Sequence, residues 1–325
     1  MGETEQRGID NRAPCGEVVA TVVAKCERRS PGSTPKALGP FFAFAARAPR
    51  IASGMCPLIA PLVGMVAPGV RASTRLNARR IFSRELSGRE QREFTRKVVS
   101  SFYSFITDLA LVSRRAGDVG LADDLIGNVY GEEEYLAARS RRRGAVLVTA
   151  HFGSFEAGLF ALRRVEPVVH VVFKRDETVE FERMRSALRR SLGVREAPID
   201  DGLGTWLGLR DALLRDEVVV LQGDRAVAGQ QSAVVPFLGG SLRIPTGPVR
   251  LAALTGSPIV PVFAIRRADG RHDIHLAAPI EPTQPTRTGS SAALCAVAKS
   301  IEQVVAKHPD QWLMLDAAFE EDHRG

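Results

Sequence analysis

The sequence lacks the short motifs that define several common classes of nucleotide-binding and hydrolytic protein. It has no G-x-x-x-x-G-K-[ST] phosphate loop and no G-x-S-x-G elbow, and its glycines at 202, 204 and 208 do not have Rossmann spacing. Internal repeats are absent as well. These absences exclude the P-loop, Rossmann and G-x-S-x-G hydrolase classes as far as their motifs define them, and they exclude a repeat architecture.

Cysteines and clusters of metal ligands are also scarce. The four cysteines are scattered without C-x-x-C spacing, so neither a zinc signature nor a disulfide framework is expected, and a reducing compartment is the default. His272 and His275 in HDIH are expected to share one face of a strand, but an obvious third ligand is missing. The sequence therefore predicts no metal site.

The first residues show no sign of a targeting segment or of a folded element. Residues 1–36 are polar and contain glycine, proline, serine and charges without a sustained period, so we expect a mostly disordered tail. A secretory signal is not expected, because no basic start is followed promptly by an apolar run and a small-residue cleavage site.

Residues 37–115 combine an apolar segment with basic helices. The stretch 51–70 has 20 residues without a charge, which is long enough to span a hydrocarbon core. Pro57, Pro61 and Pro68 interrupt it, so an interfacial or re-entrant anchor is favoured over a spanning helix or a buried helical hairpin. Residues 71–97 add nine Lys and Arg against three Glu, a composition that anionic membrane surfaces attract.

The net charge of +7 is concentrated at the N-terminal end. Residues 1–100 hold 17 Lys and Arg against 8 Asp and Glu, whereas the rest holds 27 against 29. This asymmetry indicates contact with an anionic surface, unless the arginines serve only solubility. Nucleic acid is not expected as the partner, because the charges neighbour an apolar segment and lack interleaved aromatic residues for stacking.

From about residue 144 the pattern becomes one of alternating strands and helices. Such alternation predicts an α/β fold with a mixed, mostly parallel sheet flanked by helices over residues 116–318, followed by a tail over 319–325. The predicted strands cover 145–150, 167–173, 217–223, 234–238, 258–265 and 273–277. The first predicted helix follows strand 145–150 and ends near residue 164. The other predicted helices cover 177–192, 203–215, 245–256 and 290–307.

One stretch in this region, TAHFGSFEAG (149–158), places a histidine just after a buried strand and a glutamate five residues later. Five residues correspond to about 140° on a regular helix, so His151 and Glu156 cannot meet if both are helical. They can meet if the histidine lies on the turn and the glutamate in the first turn of the helix. On spacing alone, a glutamate favoured by the helix dipole and an unrelated histidine remain the simpler interpretation.

HFGSFE resembles the H-x4-D/E motif of the lysophospholipid acyltransferase superfamily, and specifically of the bacterial lipid A biosynthesis acyltransferases (lauroyl and myristoyl transferases) and their relatives that acylate phosphatidylinositol mannosides. Further stretches of this sequence agree with the family in order and spacing, from about residue 38 to residue 316. These stretches are residues 78–105, 172–193, 218–240, 244–263 and KHPDQWLML at 307–315. The resemblance implies a glycerolipid acyltransferase-like fold.

The resemblance also implies a reaction at the cytoplasmic face of the inner membrane. A fatty acyl chain would move from a thioester of acyl carrier protein or coenzyme A to a hydroxyl or amine of a lipid or glycolipid, without a cofactor. His151 would be the general base, with Glu156 as its partner. Backbone N–H groups near 152–154, and Arg175 or Lys174, are candidates to stabilise negative charge on the thioester oxygen. The candidate substrate-binding residues are Phe152, Gly153, Ser154, Lys174, Arg175, Asp224 and Arg225.

Two alternatives stay open at this level. The basic runs Arg139–Arg143 and Arg189–Arg190 are either a docking surface for an acidic acyl carrier protein or ordinary solvated faces. The chain itself is either an enzyme or a catalytically silent lipid-binding or scaffold protein with the same fold.

Overall fold

The computed structural model of the chain describes residues 39–115, 120–227, 229–282 and 287–323. The predicted disordered tail, residues 1–36, lies outside the described residues. The described chain begins with four helices and continues as alternating strands and helices. The first four helices are α1 (Gly39–Arg47), α2 (Pro49–Val66), α3 (Pro68–Ile81) and α4 (Gly88–Arg114).

Helix α4 is the support on which the other N-terminal helices pack. It begins at a capping box in which the Ser87 side chain accepts from the Glu90 amide and the Glu90 carboxylate accepts from the Ser87 amide. An apolar stripe on this helix is buried at Phe94, Val98 and Leu109. Helices α1, α2 and α3 all contact α4, which itself also contacts a later helix of the α/β region. The predicted boundary at residue 115 stays a prediction.

The apolar segment after residue 50 forms α2, with Pro57 and Pro61 inside the helix. Within the described residues, we find that no helix by itself has the length and apolar composition needed to cross a membrane. Helices α2 and α3 meet these criteria only when Pro49–Val63 and Pro68–Ile81 are taken together, with a bend of 85° between them.

The α/β region is built around a seven-stranded sheet whose order is β1-β9-β8-β2-β5-β3-β4. All adjacent pairs in this sheet are parallel except β8 with β9. Strands β6 and β7 form a separate antiparallel hairpin. The strands are β1 (Ile126–Tyr130), β2 (Ala145–Thr149), β3 (Val169–Phe173), β4 (Arg195–Pro198), β5 (Val218–Gln222), β6 (Ser232–Phe237), β7 (Gly240–Pro245), β8 (Ile259–Arg266) and β9 (His272–Leu276).

Helices cover both faces of this sheet. The helices of this region are α5 (Leu121–Leu125), α6 (Glu132–Arg139), α7 (Phe155–Val165), α8 (Val179–Ser191), α9 (Leu203–Leu214), α10 (Gly247–Thr255) and α11 (Arg287–Lys307). One face of β2 packs through Leu147 against α7, and the other packs through Val146 and Val148 in a core shared with α9, α10 and α11. The predicted α/β class with a mixed, mostly parallel sheet is confirmed.

Five elements of this region were not predicted from the sequence: β1, α5, α6, β4 and β7. Strand β1 exposes most of its residues and β4 has only four, so neither has the long apolar run that marks the central strands. Cys295, on α11, is disulfide-bonded, which the scattered spacing of the cysteines did not indicate. Phe319, the first residue of the predicted tail, is fully buried against Phe237 and Trp312.

Candidate active site

His151 lies on the turn that joins β2 to α7, two residues after the strand ends. The turn is tight: Gly153 has a φ of +52°, and a Cβ atom at this position would come within 2.1 Å of the Ala264 carbonyl oxygen. Only glycine fits such a backbone approach. The predicted location of the histidine on the turn, with Glu156 in the first turn of the helix, therefore agrees with the structure.

The partner of His151 in this structure is Asp224. Strands β2 and β5 are parallel neighbours with Thr149 opposite Gln222, so the residues two positions beyond each strand meet. His151 Nδ1 lies 2.8 Å from Asp224 Oδ1, and the His151 backbone N–H donates to Asp224 Oδ2 at 3.1 Å. Asp224 is fully buried. Asp224 was predicted from the resemblance as a candidate substrate-binding residue, and Glu156 as the partner of the histidine.

Arg225 determines which ring nitrogen of His151 carries the proton. Its Nη2 atom lies 3.1 Å from His151 Nε2, and a guanidinium can only donate hydrogen bonds. Nε2 must therefore accept, so the neutral ring carries its proton on Nδ1 and donates it to Asp224. Burial lowers the pKa of His151 below its ordinary value, and Arg225 acts in the same direction against the opposing effect of Asp224.

The carboxylate of Asp224 stays ionised in this environment. Burial by itself would raise the pKa of Asp224, but His151, Arg225 and a hydrogen bond from Trp312 outweigh that effect and lower the pKa to about 2. Trp312 Nε1 donates to Asp224 Oδ2 at 3.0 Å. At neutral pH the site thus contains a carboxylate, a neutral imidazole and a guanidinium in contact.

Glu156 faces a different group. Its buried carboxylate has Oε1 at 3.4 Å from Arg185 Nε, on α8, and no hydrogen bond joins it to His151, both residues being within the described chain. Three atoms around this point, Glu156 Oε2, Arg185 Nε and Arg225 Nε, are buried without a hydrogen-bond partner among the described residues. Unpaired polar groups are costly in a buried site. These three atoms are therefore available to form hydrogen bonds with a substrate.

The other predicted binding residues differ in their contacts and in their exposure. The backbone N–H of Phe152 donates to the Ala150 carbonyl at 2.8 Å and that of Gly153 to the Gln311 carbonyl at 3.0 Å, so neither amide is available to a thioester oxygen in this structure. Ser154 is buried at the start of α7. Arg175 forms an exposed ion pair with Asp201, with Nη1 and Oδ1 2.7 Å apart, and Lys174 beside it is half-buried.

Arg185 and Trp312 are site residues that the sequence analysis did not single out. Arg185 comes from α8, one strand and one helix away in the chain, and its guanidinium lies over the Phe181 ring at 5.6 Å. Trp312 belongs to the C-terminal block that the resemblance included, but the block alone does not indicate where the indole points. Neither residue has a local sequence signal.

Two smaller observations concern metal ligands and the HDIH histidines. Within the described residues no group of three or more His, Cys, Asp or Glu could hold a metal ion. His272 is fully buried, whereas His275 is half-exposed and stacks on Tyr130. Residues three apart on a strand lie on opposite faces, so the expectation that the two histidines share one face is wrong.

The two basic runs are largely engaged in ion pairs within the chain. Arg139 is half-buried and binds Glu166 and Asp216. Arg141 and Arg143 both pair with Glu281. The side chain of Arg189 is only 4% exposed and binds two glutamates. These contacts favour the interpretation of ordinary charged faces over a docking surface.

An apolar cavity of about 180 Å³ lies between α7 and the sheet. At one end it is bounded by Thr149 and Phe155, which flank the histidine turn, and at the other by Glu132 and Arg164. Between these ends the lining is almost entirely apolar and includes Leu147, Gly158, Leu159, Val220, Val262, Ala264, Ile274 and Leu276. The apolar lining is suited to a hydrocarbon chain.

Together these features define an α/β protein with a histidine–carboxylate pair at the carboxyl ends of adjacent parallel strands, an arrangement suited to accepting a proton. A sequence model described as bacterial lipid A biosynthesis acyltransferase matches residues 38–321. The chain belongs to this family, and the resemblance stated above is confirmed.

Relatives with curated names agree with this membership. The chain is 28% identical over 198 residues to the phosphatidylinositol mannoside acyltransferase of Mycobacterium tuberculosis, covering 60% of each chain. It is 28% identical over 176 residues to the enzyme of the same name from Mycolicibacterium smegmatis, covering 53% of this chain and 56% of the relative. It is 25% identical over 207 residues to the lipid A biosynthesis lauroyltransferase of Escherichia coli, covering 59% and 61%. The match thus spans about 60% of the length of these relatives.

Proposed function

We propose that this protein is an acyltransferase that moves a fatty acyl group from an acyl thioester to a hydroxyl group of a lipid or glycolipid. The observation that carries the proposal is the His151–Asp224–Arg225 arrangement, with Nε2 of the histidine left as the hydrogen-bond acceptor. Membership of the family and the names of the relatives support the reaction type.

In the proposed reaction His151 acts as the general base. As the acceptor oxygen attacks the thioester carbonyl carbon, Nε2 takes the hydroxyl proton and a carbon–oxygen bond forms. The tetrahedral intermediate then expels sulfur, and the imidazolium returns the proton to the leaving thiolate. The products are an ester and a free thiol. Asp224 holds the Nδ1 proton throughout and stabilises the imidazolium, as an orienting carboxylate does.

Arg225 is the proposed donor to the thioester oxygen. Its guanidinium now occupies His151 Nε2 at 3.1 Å, so the acceptor hydroxyl must displace it before the proton can move. A guanidinium displaced by that small distance remains beside the reacting carbonyl, where a positive donor stabilises the oxyanion. This assignment replaces Arg175 and Lys174, and the amides of Phe152 and Gly153, as the favoured donors.

The cavity under α7 is the proposed site for the acyl chain. Its lining is apolar, and Thr149 and Phe155 place one of its ends beside the histidine turn. An acyl chain in this cavity would leave its thioester carbonyl near His151, while transfer of each methylene group from water gains about 0.8 kcal/mol.

The N-terminal helices are the proposed contact with the membrane. Ile51, Met55, Leu58 and Leu62 form a single stripe on α2 and expose between 36% and 76% of their surface. Helix α3 follows with exposed arginines at positions 71, 75 and 79. An apolar stripe next to a basic one favours an interfacial anchor on an anionic leaflet. We therefore propose attachment to the cytoplasmic face of the inner membrane, with coenzyme A or acyl carrier protein bringing the acyl group.

The test is acyl transfer by the purified full chain in detergent or vesicles, with acyl coenzyme A and acyl carrier protein donors and lipid or glycolipid acceptors. Replacement of a general base is expected to lower the rate by about 10²–10⁴-fold, so His151→Ala should lose nearly all product by mass spectrometry. His170→Gln is the control, because it alters a buried histidine that binds Glu217 outside the site. No more product from wild type than from His151→Ala would overturn the proposal, and no product from either would support the catalytically silent lipid-binding protein.

A further inference from the structure

The residues Gln311–Leu313 run antiparallel along the histidine turn. Gly153 N–H donates to the Gln311 carbonyl at 3.0 Å, and Leu313 N–H donates to the His151 carbonyl at 2.7 Å. Phe152 and Trp312 form the bridge between these two bonds. The C-terminal segment thus acts as a short strand that fixes the backbone of the turn on both sides of Phe152.

The side chain of Gln311 ties this segment to the sheet. Its Oε1 accepts from the Arg266 amide at 2.8 Å, and its Nε2 donates to the Arg266 carbonyl at 2.9 Å. Arg266 is the last residue of β8, which pairs directly with β2. The position of Trp312 is therefore set by the same sheet that positions His151.

The indole of Trp312 completes the hydrogen bonding of the Asp224 carboxylate. Oδ1 binds His151 Nδ1, while Oδ2 accepts from both the His151 amide at 3.1 Å and Trp312 Nε1 at 3.0 Å. The ring itself is 2% exposed and packs between Phe237 and Phe319, with centroid distances of 5.6 and 6.4 Å. The carboxylate plane is thereby fixed with Oδ1 aligned on the imidazole.

From these contacts we infer that Trp312 is a positioning residue for the proposed reaction: its indole N–H holds Asp224 in the orientation that keeps the proton of His151 on Nδ1. The inference rests on the proposed function for its kinetic consequences and on the geometry alone for its effect on His151. Trp312 touches no reacting atom and acts through the carboxylate.

Loss of the indole N–H has two consequences that loss of packing does not have. A buried hydrogen bond to a charged group disappears, which is expected to lower kcat/KM by about tenfold or more. The positive end of the N–H dipole no longer opposes protonation of the neighbouring imidazole, so the pKa of His151 rises. The acid limb of the pH profile of kcat/KM then moves to higher pH, because the base must lose its proton to act.

The experiment compares three variants of the full chain. Trp312→Phe removes the donor and part of the ring, and β-(3-benzothienyl)alanine at position 312 replaces the N–H by sulfur with nearly the same shape. Phe319→Leu is the control, because it loosens the packing on the indole and leaves the N–H in place. For each protein we would measure thermal stability, kcat/KM against pH, and the titration of His151 by NMR of histidine-labelled protein.

In both donor-lacking variants we expect the His151 titration and the acid limb of the kcat/KM profile to move to higher pH. In Phe319→Leu we expect neither of them to move. An unchanged titration and pH profile in the benzothienyl variant, with folding intact, would overturn the inference. If wild type shows no acyl transfer at all, the proposed function fails, while the NMR titration still decides whether the indole controls the state of His151.

Discussion

The sheet carries a buried cluster of charged groups at each end, and the two clusters differ in how completely their hydrogen bonds are satisfied. At the carboxyl ends of β2 and β5 lies the base cluster, which consists of His151, Glu156, Arg185, Asp224 and Arg225. At the amino ends of the same strands lies the anchor cluster, which consists of Tyr135, Arg139, Glu166 and Asp216.

The anchor cluster is saturated. Arg139 donates from Nε and Nη2 to the two carboxylate oxygens of Glu166 at 2.7 and 3.0 Å, and it also binds the carboxylate and carbonyl of Asp216. The Tyr135 hydroxyl donates to Glu166 at 2.5 Å. Burial and then the charge of Glu166 raise the pKa of Tyr135, so its hydroxyl stays a donor.

In the base cluster, by contrast, three buried atoms lack partners among the described residues. Both clusters are desolvated, so the cost of burial is similar, but only the anchor cluster offsets it fully within the chain. Unsatisfied polar groups around a histidine of lowered pKa are typical of a site that a substrate completes. This difference favours a stabilising role for the anchor cluster and supports the reaction proposed at the base cluster.

The largest expected effect concerns which carboxylate, Asp224 or Glu156, is the partner of His151. Asp224→Asn should lower kcat/KM by about 10²–10⁴-fold, because an amide can hold the imidazole in the wrong tautomer. Glu156→Gln should cost at least tenfold less, because Glu156 binds Arg185 and not the histidine. Steady-state kinetics on both variants, with thermal melting to verify folding, decides between them. A larger loss in Glu156→Gln would restore the glutamate as the partner of His151.

The next effect is a loss of unfolding free energy, and it tests the anchor cluster. Arg139→Met leaves the buried carboxylate of Glu166 without its cation and leaves Asp216 with Arg142 alone, so it should cost about 3–5 kcal/mol of unfolding free energy. The comparison variant is Arg185→Met in the base cluster, which removes one 3.4 Å ion contact with Glu156 in place of the four hydrogen bonds of Arg139, so it should cost less. Urea unfolding followed by circular dichroism measures both. Equal costs would remove the distinction between the two clusters.

The same contrast explains what could be predicted from the sequence. The central strands are buried on both faces and appear as apolar runs, so β2, β3, β5 and β8 were predicted to within two residues. The turn location of His151 followed from the glycine and the helix start. Its pairing with Asp224 did not, because that contact depends on the register of β2 against β5 across about 70 residues of chain.

Side chains that arrive from distant elements had no local signal. Arg185 reaches the base cluster from α8, and Trp312 reaches it from the segment after α11. The anchor cluster was missed for the same reason, since Arg139 appeared only as part of a basic run and its partners lie in other loops. The fold decides which remote residues form ion pairs. The number of charged residues in the sequence does not indicate these pairs.

The smallest expected effect concerns the cavity that begins at the base cluster. Gly158 lies within α7 and lines this cavity, and a Cβ atom at that position would have no neighbour within 4 Å. Glycine inside a helix costs about 1 kcal/mol relative to alanine, and the open space that Gly158 leaves lies beside the proposed acyl-chain site. Gly158→Leu should fill part of the cavity and shift preference toward shorter acyl donors by about tenfold, since a few methylene groups lose their site.

Competition between donors of two chain lengths, with products separated by mass spectrometry, measures that preference directly. Gly204→Leu is the matched control, because Gly204 lies in the exposed first turn of α9 with equally open surroundings and outside the cavity. Both changes should raise helix stability slightly, whereas only Gly158→Leu should alter the product ratio. If chain preference is unchanged while total activity persists, the acyl chain does not occupy the space under α7. The base cluster would then have to receive its thioester from another side of the histidine turn.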